Sequence, residues 1–208
     1  MLRPLFAVLI LTGMFCCPLH ASGQELAEEE KAAGFVSLFN GRDFTHWRFG
    51  EDSPPKELPA NWKVEGGVIQ VTGGGKPHLA SAKEYGDFEL RLEWRGLKEK
   101  YNSGLYIRSG KNVGSNQLNL AYRNEGAPVG AKLAGATKVP DLQKPAGEWN
   151  EWIVVAMGDN LKLICNGKPA WEATGFKPAQ GYLGMQAEGA ALEFRNIRIR
   201  EIKPQAGK

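Results

Sequence analysis

Residues 149–167 have the sequence WNEWIVVAMGDNLKLICNG, and this stretch decides the fold. Over 152–157, and again over 161–165, two sets of side chains alternate as they do on the two faces of a β-strand. Gly158-Asp159-Asn160 separates the two runs, and Asn166-Gly167 follows the second. An Asn-Gly pair between apolar runs is a strong hairpin signal, because both central residues of the turn need a positive φ. The stretch therefore predicts consecutive antiparallel hairpins.

The same period of two recurs on both sides of this stretch. It is found in residues 62–71 around Gly66-Gly67, in 88–95, and in the final run LEFRNIRIREI at 192–202. Short alternating strands separated by turns are typical of two antiparallel sheets packed face to face. The sequence therefore predicts an all-β sandwich whose core contains Leu90, Leu92, Ile107, Leu118, Val154, Leu163, Phe194 and Ile197. We expect Trp47 and Trp62 in the core as well.

Length and charge narrow the class of protein. The chain has 208 residues, 42% of them hydrophobic and 24% charged, which suits one globular domain with a sizeable core. The formal net charge is only +3, and no basic run or basic helix is visible. We therefore expect no nucleic-acid partner.

The N-terminus has the pattern of an export signal. Arg3 precedes an apolar run over residues 5–15 that is too short for a membrane span, so we expect none in the mature chain. We predict a signal peptide over 1–21, an acidic linker or short helix over 22–34, the domain over 35–202 and a tail over 203–208. The predicted location is periplasmic or extracellular, with a lipoprotein acylated at Cys16 as the alternative.

Cysteine and histidine content gives no metal or cofactor signal. Cys16 and Cys17 leave with the signal peptide, so Cys165 stands alone and predicts no disulfide. His46 and His78 lack the spacing of a metal site. We expect no cofactor; a structural calcium ion held by carbonyl oxygens stays open as an alternative.

Three strands with clean alternation carry the polar residues of interest. They cover residues 88–95, 105–108 and 117–122, and the apolar side of each is predicted to face the core. The opposite sides carry Glu89, Arg91, Glu93, Tyr106, Arg108, Gln117 and Asn119. If the strands pair in chain order, these side chains form one patch facing a common cleft.

The chain also resembles a known family. The segments that carry the resemblance are LFNGRDFTHW, WKVEGGVI, YGDFELRLEWR, NSGLYIRS, GEWNEWIVV, NGKPAW and GYLGMQAEGAALEFRNIRI. They are similar to the bacterial 3-keto-disaccharide hydrolase domain family over about residues 35–202. The resemblance implies a concanavalin A-like jelly roll, export, and action on 3-keto-glycosides. Where that family usually has an acidic residue two positions before a Gln, this chain has Gln117-Leu118-Asn119.

Cleavage of a 3-keto-glycoside defines the groups that a site needs. The C2 proton is acidic because the carbanion is delocalised onto the ketone, and its removal expels the C1 substituent before water adds. Such a site needs a base, a donor or cation near the enolate oxygen, and groups that bind hydroxyls. We assign Glu93 as the base and Arg108 as the enolate partner. The predicted substrate-binding residues are Tyr106, Gln117, Asn119, Asn102 and His78.

Each assignment has a structural alternative. Glu93 could form a solvated cross-strand ion pair with Arg91 or Arg108, and Tyr106 could be an ordinary half-buried strand residue. At the level of function, the alternatives are a non-catalytic carbohydrate-binding module, favoured by Gln117 in place of an acid, and a structural domain of the cell envelope.

Overall fold

The computed structural model describes residues 25–50, 53–130, 133–135 and 139–203. The signal peptide predicted over 1–21 lies outside the described residues. The strands in chain order are β1 Val36–Ser37, β2 Trp47–Arg48, β3 Trp62–Glu65, β4 Val68–Val71, β5 Leu79–Tyr85, β6 Phe88–Gly96, β7 Gly104–Ser109, β8 Gln117–Asn119, β9 Pro128–Val129, β10 Asn150–Met157, β11 Asn160–Cys165, β12 Lys168–Ala173, β13 Gly181–Met185 and β14 Leu192–Glu201. A short helix, α1, covers Glu28–Ala32.

The strands form two antiparallel sheets. Sheet A has the order β12-β11-β10-β6-β14-β4-β3, with β1 also paired to β14. Sheet B has the order β2-β5-β13-β7-β8-β9. The apolar faces of the two sheets enclose one core, so the predicted all-β sandwich is confirmed.

The hairpins at 149–167 form as predicted. Val154 lies opposite Leu163 in the β10–β11 pair. Asn166 and Gly167 have φ values of 50° and 75°, which is the backbone that the tight turn to β12 requires.

The eight residues predicted for the core are all buried, and so are Trp47 and Trp62. Phe194 and Ile197 are three positions apart, yet both point inward. A bulge in β14 between Arg195 and Arg198 explains this, because Asn196 takes a φ of 51° and shifts the alternation.

The order of β6, β7 and β8 corrects one prediction. β7 pairs with β8 as expected, but β6 lies in sheet A between β10 and β14. Leu90 of β6 and Ile107 of β7 therefore meet the same core from opposite sides. The polar faces of β6 and β7 consequently point away from each other, and the predicted common patch is wrong for β6.

The segment before β1 is docked on sheet A. Glu30 of α1 forms ion pairs with Arg198 at 2.6 Å and with Arg91 at 3.2 Å. Part of the linker predicted over 22–34 is therefore a short helix held against the domain. In the portion of the chain that the structure describes, no helix has the length and apolar character of a membrane span.

Candidate functional site

Tyr106 stands at the centre of the outer face of sheet B. Its register partners are Gly184 of β13 on one side and Gln117 of β8 on the other. The Tyr106 side chain is only 2% exposed because it packs with Val113 and its ring lies 5.4 Å from the His78 ring. Tyr106 is thus buried, and its ring does not form an open platform for a sugar.

Gln117 extends from β8 across β7. Its Nε2 donates hydrogen bonds to Oε1 of Gln186 at 2.9 Å and to the carbonyl of Ser103 at 3.1 Å. Gly104 makes this path possible, since a Cβ there would lie 1.8 Å from Nε2 of Gln117. The two glutamines are thereby fixed as a pair on the outer face of sheet B.

His78 has a defined hydrogen-bonding state. Its Nδ1 accepts the backbone N–H of Ala187 at 3.2 Å. Burial, and then the charge of Lys76, lowers the pKa of His78 below its usual value of 6.5. The neutral ring that results carries its proton on Nε2, which has no acceptor among the described residues and can donate to a ligand.

Glu188 brings a carboxylate to the same face. Ala187 is fully buried in the core, so the neighbouring side chains of Gln186 and Glu188 point outward. Burial, with a smaller contribution from the Glu188 charge, raises the pKa of Tyr106 to about 12. We call His78, Tyr106, Gln117, Gln186 and Glu188 the polar cluster.

Five of the seven predicted site residues lie on or beside this face. Tyr106, Gln117 and His78 belong to the polar cluster, and Asn119 lies opposite Gly104, next along β8 from Gln117 on the same face. Asn102 borders the cluster, since a Cβ at Gly189 would lie 3.1 Å from its Cβ.

Glu93 lies on the far side of the molecule, which corrects the predicted cleft. It projects from the outer face of sheet A, where Arg195 Nε donates to its carboxylate at 2.8 Å and Asn196 Nδ2 donates as well. β6 and β7 belong to different sheets, so Glu93 cannot share a cleft with Tyr106. Glu93 does form a cross-strand ion pair, which was the alternative to a catalytic role, but its partner is Arg195 and not Arg91 or Arg108.

Arg108 is the second correction. Its φ of 42° takes it out of the strand alternation, and its side chain is fully buried. The guanidinium forms a 2.7 Å ion pair with Asp87. It also donates to the carbonyls of Gly86, Gly158 and Pro178 at 2.7–2.9 Å. These contacts join turns at one end of the sandwich, and they leave Arg108 outside the polar cluster.

Two members of the polar cluster were not assigned from the sequence. Gln186 and Glu188 lie in the segment GYLGMQAEG, which contributed to the family resemblance but to no site assignment. The alternation of polar Gln186, apolar Ala187 and polar Glu188 was the signal that could have identified them.

Metal ligands do not gather among the described residues, where no group of three or more His, Cys, Asp or Glu side chains is placed to hold an ion. Cys165 is a free, buried thiol. Burial raises the pKa of Cys165 to about 11, so the thiol stays protonated and unreactive near neutral pH.

Taken together, the two sheets and the polar outer face of sheet B define a jelly roll of the kind found in glucanases and carbohydrate-binding modules. Residues 34–200 match the 3-keto-alpha-glucoside-1,2-lyase-like domain family, and the chain belongs to that family. The membership inferred from the quoted motifs is confirmed.

Three relatives illustrate the similarity. A 3-keto-disaccharide hydrolase of Bacteroides thetaiotaomicron is 26% identical over an alignment of 236 residues, covering 82% of this chain and 79% of that protein. A crystal structure from Parabacteroides distasonis, provisionally described as a glycosyl hydrolase, superposes with a TM-score of 0.69 at 21% identity, covering 87% of this chain and 100% of that one. The carbohydrate-binding module CBM66 of Bacillus subtilis superposes with a TM-score of 0.51 at 18% identity, covering 74% and 95% of the two chains.

Proposed function

We propose that this protein cleaves the glycosidic bond of 3-keto-glycosides on the outer face of sheet B. One observation carries the proposal. In a chain of this family, a neutral imidazole 5.4 Å from the Tyr106 ring and a hydrogen-bonded amide pair lie on one sheet face, and Glu188 is near enough for its charge to raise the pKa of Tyr106. These are the group types that abstraction of the C2 proton needs.

In the proposed reaction, Glu188 is the base that removes the C2 proton. The electron pair of the C2–H bond moves toward the ketone and forms an enolate, whose oxygen receives a hydrogen bond from Nε2 of His78. The enolate then forms the C1–C2 double bond and breaks the bond from C1 to the leaving oxygen. Glu188 returns its proton to that oxygen. Water adds to C1 of the enone, and C2 regains a proton.

The amide side chains position the sugar ring. Gln117 and Gln186 hold each other in one orientation, and Asn119 and Asn102 stand beside them. Amides both donate and accept hydrogen bonds, so the set suits the hydroxyl groups of a pyranose. We further propose that the protein acts outside the cytoplasm, which rests on the signal pattern of residues 1–21.

The test is release of reducing sugar from a 3-keto-disaccharide by the purified mature chain. Glu188→Gln removes the base with little change in shape, and we expect turnover to fall by about 10²–10⁴-fold. Glu84→Gln is the matched control, because Glu84 is exposed on β5 of the same sheet and is bonded to Gln180. Folded wild-type protein that cleaves none of a panel of 3-keto-glycosides would refute the proposal.

A second candidate is a non-catalytic carbohydrate-binding module. Gln117, held by two hydrogen bonds at the place where the family usually has an acid, favours it. Saturable binding of unoxidised sugars, with no turnover of the 3-keto forms, would select this function.

A further inference from the structure

A cavity adjoins the polar cluster at the β2 side of sheet B. It has a volume of about 270 Å³, and His78 forms part of both the cavity wall and the polar cluster. We call it the Arg48 pocket, and its lining includes Arg48, Lys76, His78, Lys111, Asn112 and Val113. A ligand bound at the polar cluster can therefore extend into the Arg48 pocket without leaving the surface of the protein.

Arg48 is a buried cation that has no acidic partner among the described residues. It is 5% exposed, and three of its N–H groups donate to the backbone carbonyls of Ser81, Gly50 and Lys111. Its guanidinium also lies 4.4 Å from the centre of the Tyr182 ring. No carboxylate of the described residues pairs with it. A guanidinium has five N–H donors, so two of those of Arg48 have no acceptor among the described residues.

The rest of the lining strengthens the positive character of the pocket. Lys76 is exposed at its rim, close enough to His78 to lower the pKa of that ring. The described residues that line the pocket include no Asp or Glu. Burying a charge is costly unless it is paired, and no described carboxylate pairs with Arg48, so a negatively charged ligand group in the pocket would lower that cost.

We propose that the Arg48 pocket is a subsite for an oxyanion carried by the substrate, such as the carboxylate of an acidic sugar ring. One ring of the glycoside lies over the polar cluster, and the acidic ring next to it lies in the Arg48 pocket. This assignment of the substrate class rests on the proposed function of the polar cluster. Arginine suits the task because its planar donors match the two oxygens of a carboxylate.

The test measures binding without turnover, so that it does not depend on the reaction. The probes are an α-linked glucosyl disaccharide and the same disaccharide with a carboxylate in place of one C6 hydroxymethyl group, both unoxidised at C3. We expect calorimetry on the mature protein to show at least tenfold tighter binding of the acidic probe at low salt. That preference should shrink as ionic strength rises.

Two variants connect the preference to the pocket. Lys76→Gln should reduce binding of the acidic probe by about threefold to fivefold and leave the neutral probe unchanged. Lys168→Gln removes the same charge from edge strand β12 of sheet A, and it should change neither. Arg48→Met should abolish the preference, with circular dichroism used to verify that this variant folds.

The outcomes separate the subsite from the reaction. Equal affinity for both probes, or a preference that survives Lys76→Gln and a folded Arg48→Met variant, would overturn the subsite. A protein that prefers the acidic probe but cleaves no 3-keto-glycoside keeps the subsite and loses the proposed reaction. A third probe with a 6-sulfate in place of the carboxylate shows which oxyanion the pocket prefers.

Discussion

His78 uses one ring nitrogen for the fold and leaves the other for a ligand. Its Nδ1 accepts the N–H of Ala187, and this bond orients the ring next to Tyr106. Gln117 also uses part of its side chain for the fold, because its amide nitrogen donates hydrogen bonds to Ser103 and Gln186. At the residue scale, the protonation state and the remaining hydrogen-bonding capacity of each group determine what the polar cluster can do.

Acidic pH should act on His78 in a predictable direction. Its pKa is lowered in the folded protein, so below pH 6.5 the unfolded chain takes up the proton first. The free energy of unfolding should therefore fall as pH drops through 6.5, and the His78 contribution to this slope should vanish above that pH. Protonation of Nδ1 in the folded protein also breaks the bond to Ala187, so turnover should fall at a lower pH, where the folded ring takes up its proton.

Two-dimensional NMR of the imidazole protons measures this directly. His78→Gln identifies the resonance and should remove the corresponding slope in the free energy of unfolding. Lys76→Gln should move the titration of His78 upward, because it removes a neighbouring positive charge. A titration of His78 at or above 6.5 would contradict the prediction.

Placing an acid at position 117, where the family usually has one, should not increase turnover. Gln117→Glu places a carboxylate oxygen against the carbonyl of Ser103, which keeps the N–H of Leu120 as a donor but is repelled by the new charge. Rotation of the Gln186 amide can restore a hydrogen bond between residues 117 and 186, but it does not help at Ser103. We expect the free energy of unfolding to fall by about 1–2 kcal/mol and turnover not to rise. Thermal unfolding and steady-state assays test this, with Asn119→Asp on the same strand as the control for stability.

At the scale of elements, alternation predicted which side of each strand is apolar but could not assign the strand to a sheet. Leu90 and Ile107 were correctly placed in the core, yet they approach it from opposite sheets. Glu93 was consequently assigned to the wrong sheet. Arg108 was misplaced for a different reason. Its positive φ breaks the alternation locally, and nothing in the sequence around an arginine predicts such a backbone conformation. Gln117 and Asn119 were placed correctly because β8 does pair with β7.

The Gln117 side chain crosses β7 at Gly104, so a larger residue at position 104 should disturb its orientation. Gly104→Ala puts a methyl group where the Gln117 side chain lies, while the φ of Gly104 is outside the left-handed region, so the backbone tolerates alanine. We expect the protein to fold and its affinity for sugar probes to fall about fivefold, as the amide pair separates.

The matched control is Gly110→Ala, just after the same strand, where a Cβ would meet nothing within 4 Å. Unchanged affinity in Gly104→Ala would show that the orientation of Gln117 does not matter for binding.

At the scale of the whole molecule, Arg108 holds one end of the sandwich together. Its contacts reach Asp87 between β5 and β6, Gly158 between β10 and β11, and Pro178 before β13. A side chain from sheet B thus binds two turns that belong partly or wholly to sheet A. We therefore expect Arg108 to contribute to stability and not to the reaction.

Arg108→Met should lower the free energy of unfolding by about 2–4 kcal/mol, because Asp87 and several buried carbonyls lose their donor. Urea denaturation measures the change. Arg195→Met is the control, since Arg195 is 36% exposed where it pairs with Glu93, and its loss should cost less than about 1 kcal/mol. If the two substitutions lowered the free energy of unfolding equally, burial of the Arg108 ion pair would add nothing to its contribution to stability.

The polar cluster is assembled from segments far apart in the chain, and this has a consequence for biosynthesis. His78 and Ala187, which share a hydrogen bond, are 109 residues apart, and Gln117 and Gln186 are 69 apart. Contacts at such separations close late in folding, because the loop entropy must be overcome first. A nascent chain cannot complete the cluster until the segment around Glu188 has been synthesised, so a prematurely terminated product would lack the site altogether.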